Sequence, residues 1–193
     1  MNTKRLSLII IFIALTLALN VAGPKIPAPY APFLFYQIWE IPIVIAFLVI
    51  GPKEGVIIAV INALVLLVVF PGALLLGPIY NLIAVLSMLL GVYIPYRIAI
   101  RGCKTENISQ FLREHLEMIA ISATALGIVL RVAVLSVVNY FALQQGPPVG
   151  FSLSSQVALA YLPLIGVFNA TVALYTVPIG VGIAAVILYR FKL

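Results

Sequence analysis

One cysteine, one histidine and five acidic side chains in 193 residues leave the chain nearly without the groups that enzymes use. No set of His, Cys and carboxylate stands at metal-ligand spacing and no nucleophile-base pattern is present, which argues against a metal centre and against covalent catalysis. A Gly-x-x-x-x-Gly-Lys-Ser/Thr loop is also missing. The nearest glycine pair, in Gly51-Pro-Lys-Glu-Gly55, has the wrong spacing to cradle phosphates, so the chain is not expected to hydrolyse ATP by itself. Charge is scarce as well, at 8% of residues against roughly 25% in soluble domains. With 64% hydrophobic residues and a mean hydropathy of +1.25, a soluble globular domain is excluded. Cys103 has no partner for an internal disulfide and lies in a basic segment, where a reduced thiol on the cytoplasmic side is expected.

What the chain does have is apolar runs near membrane length, a helical span needing about 20 residues. They predict an all-α integral membrane protein, a single bundle of six transmembrane helices over residues 6–22, 38–50, 56–70, 75–96, 118–143 and 160–189. The first run follows Lys4 and Arg5 as a signal peptide would, but Pro24, Pro27, Pro29 and Pro32 stand where a small-x-small cleavage site belongs, so it is read as an uncleaved span. Residues 23–37, with those prolines, are predicted to break helix and form a stiff loop. Gly51-Pro52 predicts a tight turn between the second and third spans. Residues 97–117 form a polar cytoplasmic loop predicted to hold a short amphipathic surface helix. The last apolar stretch exceeds one span, so a part near Pro163 is expected to be loop. No internal repeat is present, which argues against a transporter built from two inverted halves.

The net charge of +6 rests on 11 basic residues. Lys4, Arg5, Lys53, Arg97, Arg101, Lys104, Arg113, Arg190 and Lys192 fall on one predicted side and Lys25 alone on the other, so both termini are expected in the cytoplasm and the chain in the cell membrane. Basic residues at span ends serve orientation in the lipid bilayer, and no nucleic-acid partner is expected. The eleventh, Arg131, lies inside the fifth span.

Polar side chains inside spans are the remaining candidates for function. Asn62 lies in the third span, and Asn81, Asn139 and Asn169 fall at a similar outward depth on three others. Each amide could simply bond a neighbouring helix. Three at one depth would equally suit a planar organic ligand with alternating donors and acceptors, because an amide offers both without a charge to desolvate. A guanidinium at mid-membrane is costly and normally paired. Backbone carbonyls or Glu40 could pair Arg131, or it could touch the ligand or sit beneath its pocket. The aromatics Tyr30, Phe33, Phe35, Tyr36 and Trp39 could form an interfacial belt or a preorganised lid. Ala14 and Ala18 make a small-x-x-x-small pair, which lets another helix approach closely.

Six short spans, Ala14-x-x-x-Ala18 and no ATPase motif resemble the S components of energy-coupling factor (ECF) transporters, the substrate-capturing subunits of vitamin importers. Ala31-Pro32-Phe33-Leu34, Glu40-Ile41-Pro42, Gly51-Pro52-x-x-Gly55, Asn81-Leu-Ile-Ala84, Leu135-x-x-x-Asn139-Tyr140-Phe141 and Phe168-Asn169, in that order, resemble the riboflavin-binding RibU type. The resemblance implies an outward-open pocket lined by Ala31 and Pro32, with Asn139 and Asn169 bonding the flavin and Asn81 beside them; Phe33, from the loop aromatics, joins Arg131 as a further ligand-binding candidate. It further implies that Ala14 and Ala18 dock on the transmembrane T subunit, driven by two ATPase subunits, with riboflavin as transported ligand and no cofactor. Where that type has Asp before Ile-Pro this chain has Glu40. Where it has Lys three residues after the last pocket Asn, this chain has Val172, leaving Arg131 to take over part of that role or to mark a different substrate. An S component for another vitamin or precursor, and a membrane scaffold or channel without ligand, are the competing readings.

Overall fold

The computed structural model of the protein describes residues 3–70, 74–102 and 115–191. In chain order it contains α1 (Thr3–Ala22), β1 (Ile26–Ala28), β2 (Ala31–Tyr36), α2 (Glu40–Val49), α3 (Pro52–Val69), α4 (Gly77–Gly102), α5 (Leu116–Gln144) and α6 (Ser155–Phe191). The helices other than α2 are each long and apolar enough to cross a membrane. The surface helix expected near residues 105–115 and Cys103 lie outside the described residues.

Three expectations need correction. The proline-rich stretch is not a loop but an antiparallel hairpin, with Ile26 opposite Tyr36, Pro27 opposite Phe35 and Ala28 opposite Ala31. Pro29 and Tyr30 make its turn, and a two-stranded sheet has only edge strands, where proline is tolerated. The second run is helical over only ten residues, about 15 Å at 1.5 Å per residue, half of a bilayer core about 30 Å thick. It is a core helix, with Ile43, Val44 and Ala46 fully buried, and it begins shortly after β2 ends. The final stretch is one unbroken helix of 37 residues that carries Pro163 and Pro178 inside it, so no loop forms near Pro163.

Two sets of contacts mark the ends of the bundle. At one end Arg5 of α1 pairs with Glu54 of α3 at 2.7 Å and reaches the Ile50 carbonyl at 3.5 Å, beside the turn that Gly51 makes at φ 146°, a backbone setting that favours glycine. At the other, the Leu75 N–H donates to the Pro148 carbonyl at 3.0 Å and the Tyr80 hydroxyl to the Val149 carbonyl at 3.0 Å, tying the start of α4 to the α5–α6 connection. Phe33 of β2 packs there against a tilted Phe151 ring and edge-to-face with Tyr161, ring centres 5.7 and 5.8 Å away, so the hairpin sits at this second end.

The main core lies toward the Arg5 end, built from Ile9, Phe47, Ile58, Val92, Ala123 and Val181 with their neighbours. There α4 and α5 approach so closely that a Cβ on Gly91 would stand 2.5 Å from the Gly127 nitrogen, which is why position 91 carries no side chain.

Candidate functional site

Because α2 begins only at Glu40, the hairpin end of the bundle is not filled by helix. Two adjoining chambers of about 210 and 150 Å³ open there. They share Phe33, Leu34, Asn81, Arg131 and Phe168 as walls. Tyr80, Asn139, Phe151 and Asn169 are among those lining the first alone, and Gln37, Trp39, Glu40 and Val172 among those lining the second alone.

The floor is a buried ion pair. Arg131, near the midpoint of α5, directs Nη1 and Nη2 at the two carboxylate oxygens of Glu40, the first residue of α2, with Nη2 to Oε1 at 2.9 Å. Its Nε–H donates to Oδ1 of Asn169 on α6 at 2.9 Å, and Nη1 also lies 3.5 Å from Sδ of Met88 on α4. One side chain thus joins four helices. The residues are 3%, 4% and 5% exposed for Arg131, Glu40 and Asn169, so breaking the pair would strand a charge in a medium that does not solvate it.

The amides divide by their bonding. Asn169 is spent within the protein, accepting from Arg131 and donating from Nδ2 to the Ile165 carbonyl at 2.9 Å. Asn139, in the wall of the first chamber, donates from Nδ2 to the Leu135 carbonyl at 2.7 Å and leaves Oδ1 without a partner among the described residues. Asn81 is exposed, faces both chambers and has no hydrogen-bond partner among the described residues. Asn62 belongs elsewhere, in a buried bond from Asn20 of α1 at 3.4 Å.

The hairpin is fastened over the cavity. Tyr36 stacks on Phe168 with ring centres 4.9 Å apart, and the Tyr175 hydroxyl donates to the Gln37 carbonyl at 2.5 Å. The Tyr30 and Tyr36 hydroxyls share a hydrogen bond.

Among the residues singled out from sequence, Phe33, Asn81, Arg131, Asn139 and Asn169 are brought together around the cavity. Ala31 is fully buried within the hairpin, opposite Ala28, and does not line it. The Pro32 side chain lies outside the described residues. Ala14 and Ala18 are exposed on α1, away from the bundle. Val172 is buried against the second chamber. Sequence reasoning passed over Tyr80, Phe151 and Gln37. A signal for Phe151 was present: it follows the Gly-Pro-Pro-Val-Gly turn of residues 146–150, an aromatic beside a proline-rich turn like those of the hairpin.

No family model and no curated protein matches the sequence. Among solved structures the fold is similar to that of the S component of a bacterial ECF transporter, with a TM-score of 0.61 and 23% sequence identity over 97% of this chain and 94% of that one. What the two share is the fold, from the first helix to the last.

Proposed function

We propose that the chain is the substrate-binding S subunit of an ECF-type vitamin importer, capturing riboflavin or a related flavin from outside. The observation that carries this reading is the cavity itself, two chambers walled by amides and aromatic rings at one end of a bundle whose other end holds the main hydrophobic core. Together the chambers reach the lower part of the roughly 300–1,000 Å³ range of small-molecule sites. Phe33 and Phe168 offer faces and edges to a flat ring, and Asn81 and Asn139 offer the uncharged donors and acceptors that a flavin edge needs. Because the hairpin is pinned by Tyr175 and Phe168, little ordering is required on binding.

Of the described basic residues, Lys4, Arg5, Lys53, Arg97, Arg101 and Arg190 lie toward the end opposite the cavity and Lys25 toward the hairpin. That distribution supports a plasma-membrane protein with both termini cytoplasmic and the cavity facing out. Work against a gradient would come from a membrane T subunit and two ATPase subunits, with the exposed Ala14 and Ala18 of α1 as the close-packing face for the T subunit.

The test is the absorption spectrum of the protein purified in mild detergent, with mass analysis of whatever denaturation releases. A yellow preparation yielding flavin near one per chain is expected. Titrated riboflavin should also quench Trp39, the single tryptophan, which lines the second chamber. A colourless protein whose Trp39 emission ignores riboflavin would move the substrate to another vitamin.

A further inference from the structure

Among the described residues that line the two chambers, Arg131 is the one cation and Glu40 the one anion, and they are bonded to each other. The cavity therefore holds two full charges and is formally neutral. Of the five N–H groups of a guanidinium, four are engaged here: Nε–H by Asn169, Nη1 by Glu40 and Met88, and Nη2 by Glu40. An anionic ligand entering this site meets no available cation. It must either pull the guanidinium off Glu40 or rest beside an uncompensated carboxylate. A cationic ligand faces the mirror problem, competing with Arg131 for Glu40 at a depth where neither charge is hydrated. A ligand without charge faces neither cost and finds Asn81 and the Asn139 oxygen. Had the pair served only to tie helices, the packed half of the bundle would do as well. Instead both side chains form cavity wall, where their sum is what a ligand feels.

We propose that Glu40 is a specificity-determining residue of this site: by cancelling Arg131 inside the cavity, it restricts the site to uncharged ligands and turns away phosphorylated, carboxylated and cationic ones. The inference rests on the ligand-capture reading above and narrows its substrate class.

Isothermal titration of the full chain in detergent tests it with matched compounds: riboflavin and its 5′-phosphate, pyridoxine and its 5′-phosphate, nicotinamide and nicotinate, and thiamine as a cation. Any compound that binds should be an uncharged one, at least 100-fold tighter than its charged counterpart. Equal or tighter binding of a charged member, or of thiamine, overturns the charge filter and leaves ligand capture standing. Binding by none of them overturns both. Glu40→Gln keeps an acceptor for Arg131 while removing the anion, and should improve the charged-to-neutral affinity ratio for the phosphate of the bound pair at least tenfold. Because that variant leaves a buried guanidinium without its counterion, Gln37→Lys provides a second route. It adds a cation to the second chamber from a half-buried residue outside the helices, with the Glu40–Arg131 pair intact, and should shift the ratio the same way. A folded Gln37→Lys chain with an unchanged ratio would show that net charge does not select the ligand.

Discussion

The two halves of this bundle are made by the same long helices and behave as different materials. Toward the Arg5 end, Phe47, Ile58, Val85, Met88, Val92 and Val177 interlock around a glycine contact between α4 and α5, and the interior keeps only a small apolar gap of about 30 Å³. Toward the hairpin end, amides, a charge pair and tilted aromatic rings surround open space. In lipid no hydrophobic drive closes such a gap, so packing alone decides whether helices meet. What divides the halves is the length of α2. Ten helical residues reach from the Gly51 turn to mid-depth and stop at Glu40, and the hairpin that replaces further turns of helix is thinner than a helix and leaves a chamber beneath it.

The contrast breaks most severely at the boundary between the halves. Arg131→Leu strands the Glu40 carboxylate and should cost about 3–5 kcal/mol, whereas Glu40→Leu with Arg131→Leu should recover most of it, since an apolar pair carries no desolvation penalty. Thermal midpoints of the three chains decide this, and a double variant no more stable than the single would contradict the account of the pair. Next in size is Gly91→Val in the packed half. Its side chain collides with the Gly127 backbone, for an expected loss of about 1–3 kcal/mol, with ligand affinity per folded molecule retained. In the open half the order reverses. Asn81→Ala and Asn139→Ala should each weaken ligand binding about tenfold, near 1.4 kcal/mol, while the melting curve stays in place; an unaltered affinity in both variants would remove the amides from the site. Smallest for the chain itself is Ala18→Trp on the exposed face of α1. Stability should stay within about 0.5 kcal/mol and binding should be unchanged, yet uptake in cells that supply the T subunit and ATPases should fall. Full uptake by that variant would place the docking face elsewhere.

Several of these features were legible in the residues. A guanidinium in a span calls for a partner, and Glu40 at the head of an apolar run stood among the candidates for Arg131. Depth counting put Asn81, Asn139 and Asn169 at one level, and all three reach the cavity wall. It could not say that Asn169 would be consumed by Arg131, because that depends on the rotation of α6 against α5. The hairpin was hidden by its own prolines, which signal a break in helix without telling a loop from an edge strand. Pro163 misled for the opposite reason: a long membrane helix absorbs a proline that would end a soluble one.

Hydropathy and charge are sums over neighbours in the chain. The sequence by itself therefore determined that this is a helical membrane protein, roughly where its apolar runs begin and end, and which runs carry an out-of-place polar group. Contacts between distant residues are not such sums. Glu40 and Arg131 are 91 positions apart, Arg131 and Asn169 are 38, and Tyr175 reaches Gln37 across 138. Whether those groups meet depends on helix length, rotation and the close approach at Gly91. Only the tertiary structure decided that two buried charges cancel beneath a fastened hairpin, and that the space left between them and the hairpin is a site.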